Sequence, residues 1–379
     1  MRRNNKPHEK VFHNGESYFQ SLLQDIKNAK RSIDIEVYIF TQDKLGKKII
    51  ESLIEAKKKN KLKIRLLVDG VGTPFWGGKL IRKLESYGIK TKVFNPLPWQ
   101  IWHWRRTSTK LPLFLNILHM FSRINCRNHR KSIVIDDKIA YIGSLNFDQR
   151  HLSVQNGGQN WRDTAVRVSG YNLGSLKSAF NRAWEQNIWQ RKIEKIVNNL
   201  NHKFRINNTV KKRFQLYRNL LKRLSKAKSR VWITNAYFIP NNLFLRKIIK
   251  LAESGIDVRI IVTKVSDVAP VKWATSTLYA KLLQSGIKIY EYNASILHAK
   301  SIIIDDWISL GSSNLNHRSL LHDLELDINI ESKSAQDDII AQFNKDILNS
   351  DIITLDSLQE RNWLQSSLGK FWVLLRYWS

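Results

Sequence analysis

Two stretches of this 379-residue chain present the same reactive side chains in the same order. Each of them, His129 to Asn146 and His298 to Asn314, opens on a His with a Lys two residues on. A β-branched run, an Asp-Asp pair and Gly-Ser-x-Asn follow. A His and a Lys two residues apart at the head of a strand share one face of it. If the copies face each other, His129, Lys131 and Asn146 with His298, Lys300 and Asn314 supply two imidazoles, two ammonium groups and two amides. That set suits an anionic phosphodiester, whose charge repels nucleophiles and whose alkoxide leaves poorly. One imidazole, neutral, can attack phosphorus while the other, protonated, gives its proton to the departing alcohol. The lysines and asparagines would hold the non-bridging oxygens, and the first product would be a phosphohistidine. No metal or other cofactor is expected. Lysine is not a usual metal ligand, and no cysteine cluster or His-x3-His spacing accompanies the pairs. Two buried strands with polar heads capping a sheet edge are the bland alternative, which the repetition of the whole sequel disfavours.

The pattern His-x-Lys-x4-Asp followed by Gly-Ser-x-Asn resembles the phospholipase D superfamily, in which two such motifs form one active site. Here they read His129, Lys131, Asp136 and His298, Lys300, Asp305. The resemblance implies a covalent phosphohistidine on one histidine with the other as acid and then base. It also implies an orienting carboxylate downstream of each motif. Asp163, 34 residues after His129, and Glu325, 27 residues after His298, fit that pattern. Asp136 and Asp305 complete the motif, but their position at strand ends beside second aspartates favours a structural role. Six residues separate Asp136 from Gly143 and five separate Asp305 from Gly311, which leaves the placement of Asn314 open. Within the superfamily the chain is most similar to bacterial cardiolipin synthases lacking transmembrane segments. SIDIEVYIFTQDKLGKKI, LLVDGVG, NWRDTAVRVSG, NAYFIP and LGSSNLNHRSL carry that likeness. It implies transfer of a phosphatidyl group from phosphatidylglycerol to a glycerol hydroxyl of a second lipid. Phospholipid hydrolysis, a nuclease reaction on nucleic acid and a non-catalytic membrane-binding role are the rival readings.

The elements needed to hold these residues are legible as alternating strands and helices. Residues 32–40, 63–68 and 90–94 read as strands, with helices at 46–59 and 79–87 between them. Residues 230–238, 257–262 and 288–292 repeat the strands, with helices at 243–253 and 274–284. The fold class is therefore α/β, and the family resemblance makes it two tandem phospholipase D-like α/β/α sandwiches with one shared site at their interface. Tyr38 matches Tyr237 at an offset of 199, whereas His129 matches His298 at 169, so the first half carries about 30 extra residues before its motif. The expected divisions are a first half over 1–186 with an insertion at about 96–128, a basic helical linker at 187–223, a second half over 224–350 and a Trp-rich tail at 351–379.

Charge points to an anionic partner: Lys plus Arg number 63 against 32 Asp plus Glu, a formal +31. One cysteine, Cys126, rules out an intrachain disulfide framework and fits a reducing compartment. The amino terminus shows no signal-peptide pattern, and no apolar run approaches the roughly 20 residues of a membrane span. Contact with an anionic phospholipid membrane, expected at the cytoplasmic face of a bacterial inner membrane, must then be peripheral. The insertion suits that contact. It holds Trp99, Trp102, Trp104, Arg105 and Arg106, then an apolar stretch including Phe114, and no acidic residue. Trp372 in the tail repeats the chemistry. A helical hairpin packed over the other half is the competing reading of the insertion.

Overall fold

A computed structural model describes residues 6–73, 78–97, 100, 126–185 and 203–359. The first half is a seven-stranded sheet of β1 (His8–Phe12), β2 (Ser32–Val37), β3 (Lys63–Asp69), β4 (Lys90–Phe94), β5 (Ser132–Ile135), β6 (Ile139–Gly143) and β7 (Ala165–Ser169), in the order β1-β7-β6-β5-β2-β3-β4. The second sheet comprises β8 (Phe204–Ile206), β9 (Arg230–Asn235), β10 (Asp257–Thr263), β11 (Lys288–Tyr292), β12 (Lys300–Ile304), β13 (Trp307–Gly311), β14 (Leu326–Ile330) and β15 (Ser350–Ile353). Its order is β15-β11-β10-β9-β12-β13-β14-β8. The two orders match strand for strand, with β15 added at one edge. Both sheets are mixed: β2, β3 and β4 run parallel, as do β9, β10 and β11, and the hairpin strands join them antiparallel.

Helices cover the parallel strands, which buries β2 and β3 along nearly their whole length, the polar Asp34, Glu36 and Arg65 included. The helix Gly15–Asn28 is capped by Asn14, whose side chain accepts the Ser17 amide, and it buries Tyr18, Phe19, Leu22 and Ile26 on one stripe. Asp43 caps Lys44–Asn60 in the same way. Each half has its own core, and a third cluster joins them: Val134, Ala140, Ile142, Val166 and Val168 of the first half pack with Ile303, Ile308, Leu310, Leu326 and Ile328 of the second. The duplicated halves are thus fused through a buried apolar interface.

Three boundaries differ from the sequence expectations. Residues expected as a linker at 187–223 include β8 and the helix Val210–Leu224, the counterparts of β1 and the helix Gly15–Asn28, so the repeat begins earlier. The first residues expected as tail form β15, paired with β11. The single helix expected at 274–284 is two helices, Ala269–Ser276 and Tyr279–Gln284. At the break, the hydroxyls of Thr275, Ser276 and Thr277 turn back onto the carbonyls of Val271, Trp273 and Ala274, and such local bonds compete with the helical ladder.

Asp136 and Asp305 stand at the hairpin turns, at the opposite ends of β5 and β12 from the histidines. Asp136 accepts the amides of Lys30, Arg31 and Ser32, and Asp305 those of Lys228, Ser229 and Arg230. Both adopt positive φ, 57° and 50°. The hairpins also explain the unequal spacing: β5 and β6 are joined by three residues, β12 and β13 by two, and pairing resumes in matched register beyond the turn. Asp136→Ala or Asp305→Ala is expected to cost roughly 1–3 kcal/mol in denaturant unfolding while leaving activity per folded molecule intact. Loss of activity without loss of stability would return these residues to the chemistry.

The bulk of the insertion, with Trp99, Trp102, Trp104, Arg105, Arg106 and Phe114, lies outside the described residues, as does Trp372. Its two ends meet: the Asn95 side chain donates to the Cys126 carbonyl at 2.8 Å and Arg127 Nη1 donates to the Asn95 carbonyl at 2.9 Å. Both ends are therefore anchored between β4 and the segment that leads to His129.

Candidate active site

The two motifs converge on one cavity of about 450 Å³ at the seam between the halves, lined by His129, Asn146, His298 and Asn314 among others. Backbone contacts across the seam set the geometry. The His129 amide donates to the Leu324 carbonyl at 3.0 Å, and the His298 amide donates to the Arg162 carbonyl at 2.8 Å. Leu324 precedes Glu325 and Arg162 precedes Asp163, so each histidine is stitched to the segment carrying the other half's carboxylate.

The carboxylates are accordingly exchanged between halves. His129 Nδ1 lies 3.0 and 3.2 Å from the two Glu325 oxygens and 3.1 Å from the Ser312 carbonyl. His298 Nδ1 lies 2.9 Å from Asp163 Oδ1. Because these partners are carboxylate or carbonyl oxygens, each Nδ1 carries the proton and each Nε2 is left with its lone pair. Lys131 Nζ donates to the His129 carbonyl at 2.8 Å, and Lys300 Nζ donates to that of His298. Tyr38 and Tyr237 complete the symmetry. Each ring stands beside its own half's imidazole, at 4.9 and 6.3 Å, with the ammonium of Lys131 or Lys300 over its face. Asn146 is fixed by accepting the Ile39 backbone amide through its Oδ1 at 3.2 Å. Gly143 and Gly311 admit the crossing strands. A Cβ at Gly143 would collide with Ala165, and one at Gly311 with Leu326 and Asp327.

Burial dominates the electrostatics. It pushes His298 down to about 4, with Lys300 acting in the same direction, and it pushes His129 well below its usual range, again aided by both lysines. Both shifts favour neutral imidazoles, whereas the sequence reading expects one of the two to be protonated. Desolvation lowers Lys131 to about 7 and Lys300 to about 8, leaving cations whose charge is costly until an anion arrives. The carboxylates differ from each other. Burial raises Glu325 to about 7. Burial also acts to raise Asp163, but the two imidazoles against it, His298 and His151, hold it well below the carboxylate range.

His151 escaped the sequence reading. It is buried, its Nε2 accepts the Asn146 amide at 3.2 Å, and its Nδ1 stands 2.7 Å from Asp163 Oδ2. Its counterpart is Ser319: each lies eight residues after the motif glycine, 151 − 143 and 319 − 311, and Ser319 bonds Glu325 as His151 contacts Asp163. The signal was the shared Arg-x-Leu frame, Arg150-His151-Leu152 against Arg318-Ser319-Leu320, masked by the change of residue type.

Two duplicated sheets that close their His-Lys motifs around one cavity define the phospholipase D class of protein. The family described as "Cardiolipin synthase, PLD-like domain" matches residues 22–184 and 220–347, and the chain belongs to it. It is a phospholipase D-superfamily phosphatidyltransferase of the cardiolipin synthase type. Among similar proteins, the cardiolipin synthase of Clostridium perfringens is 29% identical over 366 residues, 93% of this chain and 73% of that protein. Cardiolipin synthase 1 of Staphylococcus aureus is 31% identical over 361 residues, covering 92% and 69%. The major cardiolipin synthase of Bacillus subtilis is 30% identical over 366 residues, covering 94% and 72%. The crystal structure of phosphatidylserine synthase from Haemophilus influenzae shares the fold, with a TM-score of 0.70 and 14% identity over 99% of this chain and 96% of that one.

Proposed function

We propose that the protein transfers a phosphatidyl group from phosphatidylglycerol to the glycerol hydroxyl of a second phospholipid at the surface of an anionic membrane, through a phosphohistidine on His129. The observation that supports it most is the crossed pairing of each imidazole with the other half's carboxylate, which leaves both Nε2 atoms without a hydrogen bond among the described residues. The asymmetry of the carboxylates divides the roles. Asp163, held ionised by the two imidazoles that contact it, supports an imidazolium better than Glu325, whose carboxyl is pushed up by burial, so His298 is the proton carrier and His129 the nucleophile. The arriving phosphodiester brings the negative charge that raises His298 and completes the charge of Lys131 and Lys300.

In the first step His129 Nε2 forms a bond to phosphorus, the bond to the glycerol oxygen breaks, and that oxygen takes the proton of His298. Lys131, Lys300 and the side-chain amides of Asn146 and Asn314 hold the non-bridging oxygens as charge builds. In the second step His298 removes the proton of the incoming hydroxyl, oxygen binds phosphorus, and the electron pair of the breaking bond returns to His129. No helix among the described residues is long and apolar enough to cross a membrane, and docking at the surface falls to the insertion and tail with their tryptophans and arginines. The test is to incubate the protein with phosphatidylglycerol vesicles in EDTA and identify products by mass spectrometry. Cardiolipin is expected at a rate unchanged by the chelator. Complete loss restored by a divalent ion would sink the phosphohistidine scheme.

A further inference from the structure

The near two-fold symmetry of the cavity is broken on the His298 side. Tyr237 donates its hydroxyl to Asp267 Oδ1 at 2.7 Å, whereas the hydroxyl of its counterpart Tyr38 makes no hydrogen bond among the described residues. Asp267 is an exposed carboxylate on the wall of the cavity that also presents the two catalytic imidazoles. A negative charge there opposes binding of a phosphodiester, in a chain with only 32 acidic residues against 63 basic ones. Arg150 and Lys300 offset part of that charge, and the carboxylate still lines the cavity with acceptor capacity to spare. Tyr237 uses one lone-pair position of Asp267, and a carboxylate has about four.

A donor stands nearby. Arg150, from the other half, lines the same cavity. Its guanidinium is locked by Asp148 through Nε at 2.9 Å and Nη2 at 2.6 Å and stacks on Trp161 at 4.5 Å. Its Nη1 makes no hydrogen bond among the described residues. Trp161 in turn stands 5.6 Å from His298. A rigid donor and an anionic acceptor beside the proton carrier suit a ligand whose groups both give and take hydrogen bonds, which is the property of vicinal hydroxyls.

We propose that Asp267, Tyr237 and Arg150 form an alcohol subsite that reads the hydroxyls of a glycerol head group. It holds the glycerol leaving the donor and then the glycerol of the acceptor lipid. This rests on the transferase reading above, with His298 as proton carrier, because both alcohols must pass the same imidazole. The acceptor hydroxyl gives its proton to His298 Nε2, its oxygen bonds phosphorus, and the phosphorus–nitrogen bond returns its pair to His129. Water reacting in its place gives phosphatidic acid. Holding the glycerol in the subsite therefore sets the ratio of transfer to hydrolysis.

The experiment measures that ratio for the full chain on phosphatidylglycerol vesicles. Cardiolipin and phosphatidic acid are quantified together by mass spectrometry for wild type, Asp267→Ala and Asp267→Asn. The ratio reads only the fate of the intermediate, so it is insensitive to the fraction of folded enzyme. Asp267→Ala is expected to lower cardiolipin relative to phosphatidic acid about tenfold or more, the effect of losing a hydrogen bond to a charged group, with Asp267→Asn between. The same order should hold for incorporation of labelled free glycerol. An unchanged ratio in Asp267→Ala overturns the subsite and leaves the transferase reading standing. A wild-type protein that makes neither lipid overturns that reading and the subsite with it.

Discussion

His129→Ala and His298→Ala should each reduce turnover on phosphatidylglycerol by at least about 10³-fold, and the double variant should be little worse than either. One cavity is lined by both histidines, so neither half retains a complete catalyst when the other loses its imidazole. Non-additivity distinguishes this from two independent sites, for which a single substitution would leave about half the activity. Lipid product formation in purified single variants, scored against their thermal unfolding, measures it. Wild-type turnover in either variant would contradict the shared site.

The second large effect comes from the exchanged carboxylates. Asp163→Asn should cost about 10²- to 10⁴-fold, because an amide cannot stabilise an imidazolium on His298 and can present the wrong tautomer to it. The consequence also has an address. Asp163 belongs to the first half, yet its loss should disturb the ring-nitrogen resonances of His298 and His151, both in the contact described, and leave those of His129. Glu325→Gln should act on His129. Nitrogen NMR of labelled histidine in the two variants reads this directly. A shift of His129 on replacing Asp163 would mean each histidine is oriented from its own half.

The exchange shows where the sequence stops being legible. The His-Lys pairs, the asparagines and the two carboxylates are visible because they recur in order along the chain, and the strand and helix runs of both halves are visible from periodicity. Which carboxylate serves which histidine is fixed by contacts across the seam, 135 residues apart for His298 and Asp163 and 196 for His129 and Glu325, with no local pattern to report them. The opening of the second repeat was hidden for a simpler reason. β8 is three residues long, and the Arg- and Lys-rich helix after it resembles a solvated linker until its Tyr217, Leu220, Leu221 and Leu224 are seen in the core. His151 was hidden because its counterpart is a serine. The motif aspartates show the reverse case: the pattern grouped Asp136 and Asp305 with the histidines, and chain direction carries them to the far end of the strand.

The proposed mechanism runs through a covalent adduct at His129, and capturing that adduct is the most direct test. Wild-type protein turning over phosphatidylglycerol is quenched in alkali, which preserves phosphohistidine, digested, and searched by mass spectrometry for a modified histidine. A phosphatidyl adduct, or the glycerophosphoryl remnant that alkali leaves of it, is expected on His129, forming and decaying with the kinetics of product. Product formation with the adduct on His298 would reverse the roles, and product formation with no adduct on either histidine would contradict the covalent mechanism.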